Sequence, residues 1–381
     1  MDRAKNIIQN FFFLFIGLIF AFIILEIYLR VYEPFELRVK GEKIILPINK
    51  KYIVQNDKTE KLDSNIIHTK NSLGFRGKDP PKEFENYLTM LTVGGSTTEC
   101  FYASDGKTWT DVLGNKLKNN FNNIWINNAG LVGQSTFGHI VLMDDYIVHL
   151  KPKVVLFLIG SNDRSERRLA NKYDKSILKR SYSGTLKGAF KQAVSYSEVL
   201  GTILNIYRYI KSRNMGLLHS VTNYKTLEYL DIPQADMNKH IKNIQKTALT
   251  PLKERLKKLI QLSRENGIEP IFITQPALYG YAIDDVTNVD LARIRLRNTN
   301  GALVWERLEH VNNTIKKIGE DNNVFVIDLS KELPKSSKYY YDFLHFSNEG
   351  NKLIAQIIYN KLCHYLEDKY NAYIINECVI Q

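Results

Sequence analysis

Residues 91–100 read LTVGGSTTEC, an apolar strand that runs into two glycines, a serine and two threonines. A glycine pair lets the backbone turn where side-chain bulk would block it, and Thr97, Thr98 and Glu99 suit the first turn of a helix. Ser96 therefore falls at a strand-to-helix corner. Corners at the carboxyl ends of strands in an open parallel sheet are where such folds carry ligands and nucleophiles. A serine that merely caps a helix would look the same locally, so the remaining sequence has to decide.

Downstream the pattern repeats as strand, loop, helix. Short runs rich in Val, Ile and Phe at 87–93, 124–127, 154–159, 270–274 and 324–328 read as strands. Stretches with apolar residues at helical spacing, 109–119, 137–149, 238–266, 303–318 and 348–367, separate or follow them. Strands alternating with helices imply an α/β fold whose parallel sheet is covered on both faces. One span breaks the rhythm. Residues 164–237 open with the basic run RSERRLANKYDKSILKR, become amphipathic around 196–210, and are expected to form a helical insertion over one rim of the sheet, serving as a lid.

Each loop at the expected carboxyl edge ends in residues an esterase could use. NAGLVGQST follows the second strand and offers the backbone N–H of Gly133; IGSND follows the third and offers the Asn162 amide. After the fifth comes YYYDFLHFSNEG, with Asp342 and His345 three residues apart. A serine hydroxyl is a poor nucleophile at neutral pH until an imidazole takes its proton, and a carboxylate commonly fixes that imidazole's tautomer. The developing oxyanion then needs preorganised donors, which the N–H groups of Ser96 and Gly133 and the amide of Asn162 would supply. Any one element occurs by chance; their order after successive strands is specific.

These blocks resemble the SGNH/GDSL hydrolases. GGSTTEC looks like the serine block with GGS in place of the usual GDS, and NAGLVGQST, IGSND and DFLHFSNEG resemble the glycine, asparagine and histidine blocks. NSLGFRG, residues 71–77, is similar to a segment that often precedes the serine block in anchored members. The likeness spans roughly residues 70–365, with 164–237 poorly matched. It implies a three-layer α/β/α sandwich with a parallel five-stranded sheet, Ser96 as nucleophile, His345 as base, Asp342 as its orienter, Gly133 and Asn162 as the oxyanion hole, and no metal or organic cofactor. Gln275, in the TQP loop after the fourth strand, is expected to line the site. Asp163 is a second candidate for substrate contact, although a solvated pair with Arg164 is the plainer reading.

Length and composition bound the rest. At 381 residues and 44% hydrophobic content the chain is an ordinary globular length. The net charge of +12 raises a polyanionic partner, whether nucleic acid, anionic lipid headgroups or an acidic polysaccharide, yet no recognisable nucleic-acid module carries it, so no nucleic acid is expected and a solvated basic surface is the plainer reading. Cys100, Cys363 and Cys378 have no metal-ligand spacing; Cys363 and Cys378 could pair in an oxidising compartment, and Cys100 reads as a small buried hydrophobe. Residues 11–25, FFFLFIGLIFAFIIL, extended by apolar positions between 7 and 29, reach the ~20 residues that cross a bilayer. No small-residue cleavage site follows, so the segment is expected to remain as a membrane anchor with the bulk of the chain outside the cytoplasm. Glu26 is expected to snorkel to the interface, with contact to a partner helix as the alternative. The expected organisation is an anchor at 1–34, a connecting segment at 35–85, a hydrolase domain at 86–368 and a tail at 369–381. The expected activity is a serine esterase removing acyl groups, most plausibly acetyl, from an envelope carbohydrate. An O-acetyltransferase built on the same triad and a non-catalytic envelope scaffold are the alternatives, and protein partners are unknown.

Overall fold

The computed structural model describes residues 2–32, 39–40, 43–163, 193–194, 196–214 and 222–379. The basic run that opens the expected insertion lies outside the described residues. The chain divides into two compact units, Met1–Ile45 with Asp174–His219, and Leu46–Tyr173 with Ser220–Gln381.

In the first unit, Asp2–Tyr32 is one long helix. Its stretch Asn6–Tyr32 is long and apolar enough to span a membrane. Phe11, Phe12, Phe13 and Phe15 are exposed there, as a bilayer-facing helix requires. Glu26 departs from expectation. Instead of reaching outward, its carboxylate accepts hydrogen bonds from Ser197 Oγ (2.8 Å) and from the backbone N–H groups of Glu198 (2.9 Å) and Val199 (3.1 Å), and pairs with Arg30 at 3.0 Å. Helix Glu198–Asn214 begins at that point, and the first N–H groups of a helix have no partner within it. A carboxylate from another element meets that need.

The second unit is built on a parallel sheet. A hairpin of β1 (Lys51–Gln55) and β2 (Asn65–Thr69) precedes it. The sheet strands are β3 (Leu88–Gly94), β4 (Ile124–Asn128), β5 (Val154–Ile159), β6 (Glu269–Thr274) and β7 (Phe325–Ile327), in spatial order β7-β6-β5-β3-β4 and parallel throughout. β3 and β5 are buried at every residue because both sheet faces are covered. Leu88, Met90, Leu156, Leu158, Ile271 and Ile273 share a core with Trp109, Leu113, Ile354 and Ile358. The alternate residues Leu91, Val93, Phe157 and Phe272 turn to the opposite face.

Helices α1 (Ser96–Glu99), α2 (Trp109–Leu117), α3 (Thr136–Leu142), α4 (Gln234–Ile244), α5 (Thr250–Glu265), α6 (Gly301–Asp321) and α7 (Asn348–Lys369) connect and flank these strands. α2 packs with α7; α3 and α6 both pack with α5. The result is the three-layer α/β/α sandwich of SGNH hydrolases, as the sequence blocks imply. Local chemistry sets the helix starts. Thr108 and Asp111 form a reciprocal capping box at α2, and Ser347 Oγ accepts the N–H of Gly350 at α7. The last strand is one residue shorter at each end than expected, and just beyond it the Asp328 carboxylate accepts from Thr274 Oγ1 (2.8 Å) and Lys316 Nζ (2.7 Å).

Beyond α7 the chain folds back. Asn122 N–H donates to Tyr373 O and Asn120 Nδ2 to Glu377 O, while Cys363 and Cys378 form a disulfide with Cα atoms 5.8 Å apart. The strand order reverses between β3 and β5, and the loops after them carry Ser96 and Asn162. A sheet opens a crevice at such a switch point.

Candidate active site

Three loops meet at the turn between β3 and α1. Ser96 opens α1, with Gly95 as the extended residue before it. The loop after β4 is pinned to this turn by Leu131 N–H donating to Gly94 O (3.1 Å) and by Asn128 Nδ2 donating to Thr98 O. The loop after β5 joins through Asn162, whose Nδ2 donates to Gln134 O at 2.9 Å. That bond uses one of the two amide hydrogens and fixes the amide beside Gly95, where an added Cβ would stand only 2.7 Å from Nδ2. Gly133 is exposed and has φ of +78, a left-handed conformation that a side chain would strain.

From the far end of the chain, the DFLH turn delivers the other two groups. Asp342 Oδ1 accepts the N–H groups of Leu344 (2.7 Å) and His345 (2.6 Å), closing the turn on itself. Its Oδ2 stands 2.6 Å from His345 Nδ1, and His345 Nε2 stands 2.8 Å from Ser96 Oγ. An ionised carboxylate only accepts, so Nδ1 donates to Asp342 and Nε2 presents a lone pair to the serine hydroxyl. Burial works to raise the Asp342 pKa, but the neighbouring His345 ring and the hydrogen bonds from His345 and Leu344 outweigh it and hold the carboxyl below its ordinary value.

Tyr341 stacks on the His345 ring, with centroids 5.8 Å apart and an interplanar angle of 14°. Sequence reading missed this contact, although the tyrosine run directly before DFLH was its signal. Ser96, Thr97, Cys100, Tyr102, Ala103, Tyr341, His345 and Phe346 line a cavity of about 10 Å³, close to the space one water occupies. Burial pushes the Cys100 thiol up to about 12, which keeps it neutral beside the serine.

Two expected contacts are corrected. Asp163 is buried at 3% exposure rather than solvated, and its expected partner Arg164 lies outside the described residues; it accepts from Thr136 N (3.0 Å) and Thr136 Oγ1 (2.5 Å) and pairs with Arg255 at 3.3 Å. A buried carboxylate requires such partners, and they tie the β5 loop to α3 and α5. Gln275 does not line the cavity either. At 1% exposure it lies beneath the nucleophile turn, accepting from Thr97 Oγ1 at 2.8 Å and receiving further support from Asn312.

The profile of the GDSL-like lipase/acylhydrolase family matches residues 92–353, from within β3 into α7. The chain belongs to this family. This acylhydrolase is accordingly an enzyme acting on ester bonds. Among solved structures it is similar to a lipase/acylhydrolase from Enterococcus faecalis, with TM-score 0.39 and 14% identity over 74% of this chain and 97% of that one. It is also similar to an acetylxylan esterase from Geobacillus stearothermophilus, with TM-score 0.37 and 15% identity over 72% and 93% of the two chains. A member of the lipolytic protein G-D-S-L family from Veillonella parvula DSM 2008 gives TM-score 0.37 and 14% identity over 71% and 94%. Comparison with curated protein sequences gives no match.

Proposed function

We propose that this acylhydrolase is a membrane-anchored serine esterase that removes small acyl groups, acetyl foremost, from a carbohydrate or other envelope ester outside the cytoplasm. The observation that carries the chemistry is the continuous relay Ser96 Oγ, His345 Nε2, His345 Nδ1, Asp342 Oδ2, with links of 2.8 and 2.6 Å. As His345 takes the serine proton, Ser96 Oγ attacks the ester carbonyl carbon. The oxyanion forms against the N–H groups of Ser96 and Gly133 and the second amide hydrogen of Asn162. His345 then returns its proton to the departing alkoxide, leaving an acyl-serine. Water, activated by the same imidazole, adds to the acyl carbon; collapse expels Ser96 Oγ, which recovers the proton, and releases the acid.

The apolar helix Asn6–Tyr32 supports anchoring. The Cys363–Cys378 disulfide supports an oxidising compartment, since such bonds are rare in the cytosol. The net charge of +12 suits an anionic envelope polymer.

The test is fluorophosphonate labelling of the full chain in detergent, parent against Ser96→Ala, followed by acetyl release from acetylated polysaccharides with and without added sugar acceptors. Labelling of the parent that vanishes in the variant is expected, with free acetate as the product. Acetyl moved to sugar in preference to water would make the enzyme a transferase. A folded parent that never labels would leave a scaffold.

A further inference from the structure

NSLGFRG stands apart from the residues assigned to the reaction, yet it is wired into the nucleophile turn. Arg76, 1% exposed, donates through Nη1 to the carbonyl oxygens of Glu99 (2.9 Å) and Cys100 (2.7 Å), and through Nη2 to Ala103 O (2.9 Å) and Asp105 Oδ1 (2.9 Å). The carbonyls that end a short helix need donors, and here a buried arginine supplies them.

The Glu99 side chain runs the other way. Its Oε2 accepts the backbone N–H of Val132 at 2.7 Å, and its Oε1 pairs with Lys70 Nζ at 3.1 Å, both side chains being almost fully buried. Lys70 immediately precedes NSLGFRG. A buried ion pair is costly to desolvate and is weak as a device for stability alone. Its placement gives a more specific reason for it. Val132 is the residue before Gly133, so the carboxylate holds the chain one residue upstream of the proposed oxyanion donor.

We propose that Glu99 is a positioning residue for the reaction: its carboxylate, neutralised by Lys70, fixes Val132 and thereby aims the Gly133 N–H at the developing oxyanion. The inference rests on the serine-esterase reading above. It also gives the segment ahead of the serine block a task, because Arg76 and Lys70 hold Glu99 from its backbone and its side chain respectively.

Two neutral double variants in the full chain separate aim from support. Lys70→Met/Glu99→Leu and Lys70→Met/Glu99→Gln both remove the buried charges together, so neither leaves an orphan ion, and they differ in whether an acceptor faces Val132 N–H. The readouts are kcat per fluorophosphonate-labelled site, KM for 4-nitrophenyl acetate, and melting temperature. Losing an oxyanion donor costs ~10²–10³ in rate, so mis-aiming one is expected to lower kcat of the leucine variant at least about tenfold below the glutamine variant, with KM within about twofold. The glutamine variant is expected to stay near the parent.

Equal kcat per labelled site in the two variants overturns the proposal, as does a difference confined to melting temperature. If the leucine variant does not fold, Lys70→Met/Glu99→Met takes its place; collapse of both beside a folded glutamine variant assigns the bond to the fold and also overturns the positioning role. A labelled parent with equal variants rejects the role of Glu99 alone. An unlabelled parent rejects the esterase reading and this inference with it.

Discussion

At the residue scale, the relay makes sharp demands. His345→Ala is expected to reduce kcat almost as far as Ser96→Ala, since the two act as a unit, and active-site-titrated hydrolysis of 4-nitrophenyl acetate measures both. Asn162→Ala should be milder, with a loss on the order of 10²-fold; an unchanged rate would remove Asn162 from the oxyanion hole. Gly95 offers a separate check. A Cβ there would lie 2.7 Å from Asn162 Nδ2 and 3.2 Å from Gln134 O, and the side-chain amide would shift before the backbone carbonyl, straining its bond to Gln134 O. Gly95→Ala is therefore expected to lower kcat about tenfold by displacing that donor, while the melting temperature stays within about 2 °C. Equal losses of rate and stability would mean that the glycine serves packing alone.

That Ser96, His345 and Asp342 would be neighbours was legible because each follows a strand or sits in a short motif with its partner, as Asp342 does with His345. Asp163 and Gln275 were misread for the opposite reason. Their partners, Arg255 and Thr97, lie 92 and 178 positions away, and no local pattern announces such pairings. For Glu26 the preferred snorkelling reading gave way to its alternative, a partner helix, because the acceptor role depends on a helix start near Ser197.

At the scale of elements, β3 and β5 were plain in sequence because strands covered on both faces are continuously apolar. β7 was harder, with only three paired residues and a polar end set by Asp328. The C-terminal segment after α7 was expected to be a tail, yet it docks against residues 120–122 and is closed by the disulfide. A bond across a sequence separation of 15 residues contributes about 3 kcal/mol in the chain-entropy view. Replacing both Cys363 and Cys378 by serine should lower unfolding free energy by roughly 2–3 kcal/mol in urea titration while leaving kcat per labelled site unchanged. A loss of activity at equal folding would instead tie the tail to catalysis.

For the whole molecule, acid is the expected weakness. Asp63, Asp284, Asp328 and Asp342 all titrate below their ordinary value: burial pulls each upward, but hydrogen bonds, joined by Lys107 at Asp63, Lys316 at Asp328 and His345 at Asp342, outweigh it. The unfolded chain therefore binds more protons than the folded one once pH drops toward about 4. The stability these groups supply is complete above that point and is lost as pH falls through their lower folded values. Burial also lowers His68 to about 2 and His139 to about 4, so both take up protons on unfolding below about pH 6.5; melting temperature should start to decline there and fall steeply below 4, with net positive charge adding repulsion. In Asp328→Asn that acid limb should be shallower; an unchanged slope would exclude Asp328 as a contributor.

The buried Cys100 thiol carries a consequence for oxidative maturation. Three cysteines leave one thiol over after any pairing, and a reactive leftover would attack the finished bond or couple to another molecule. Cys100 is 9% exposed, and its thiol is held protonated far above neutral pH. Thiolate, the species that attacks sulfur, is correspondingly scarce. Once the Cys363–Cys378 bond has closed, the folded enzyme is thus kinetically guarded against disulfide scrambling, and alkylating reagents should spare it under conditions where phosphonates inactivate it.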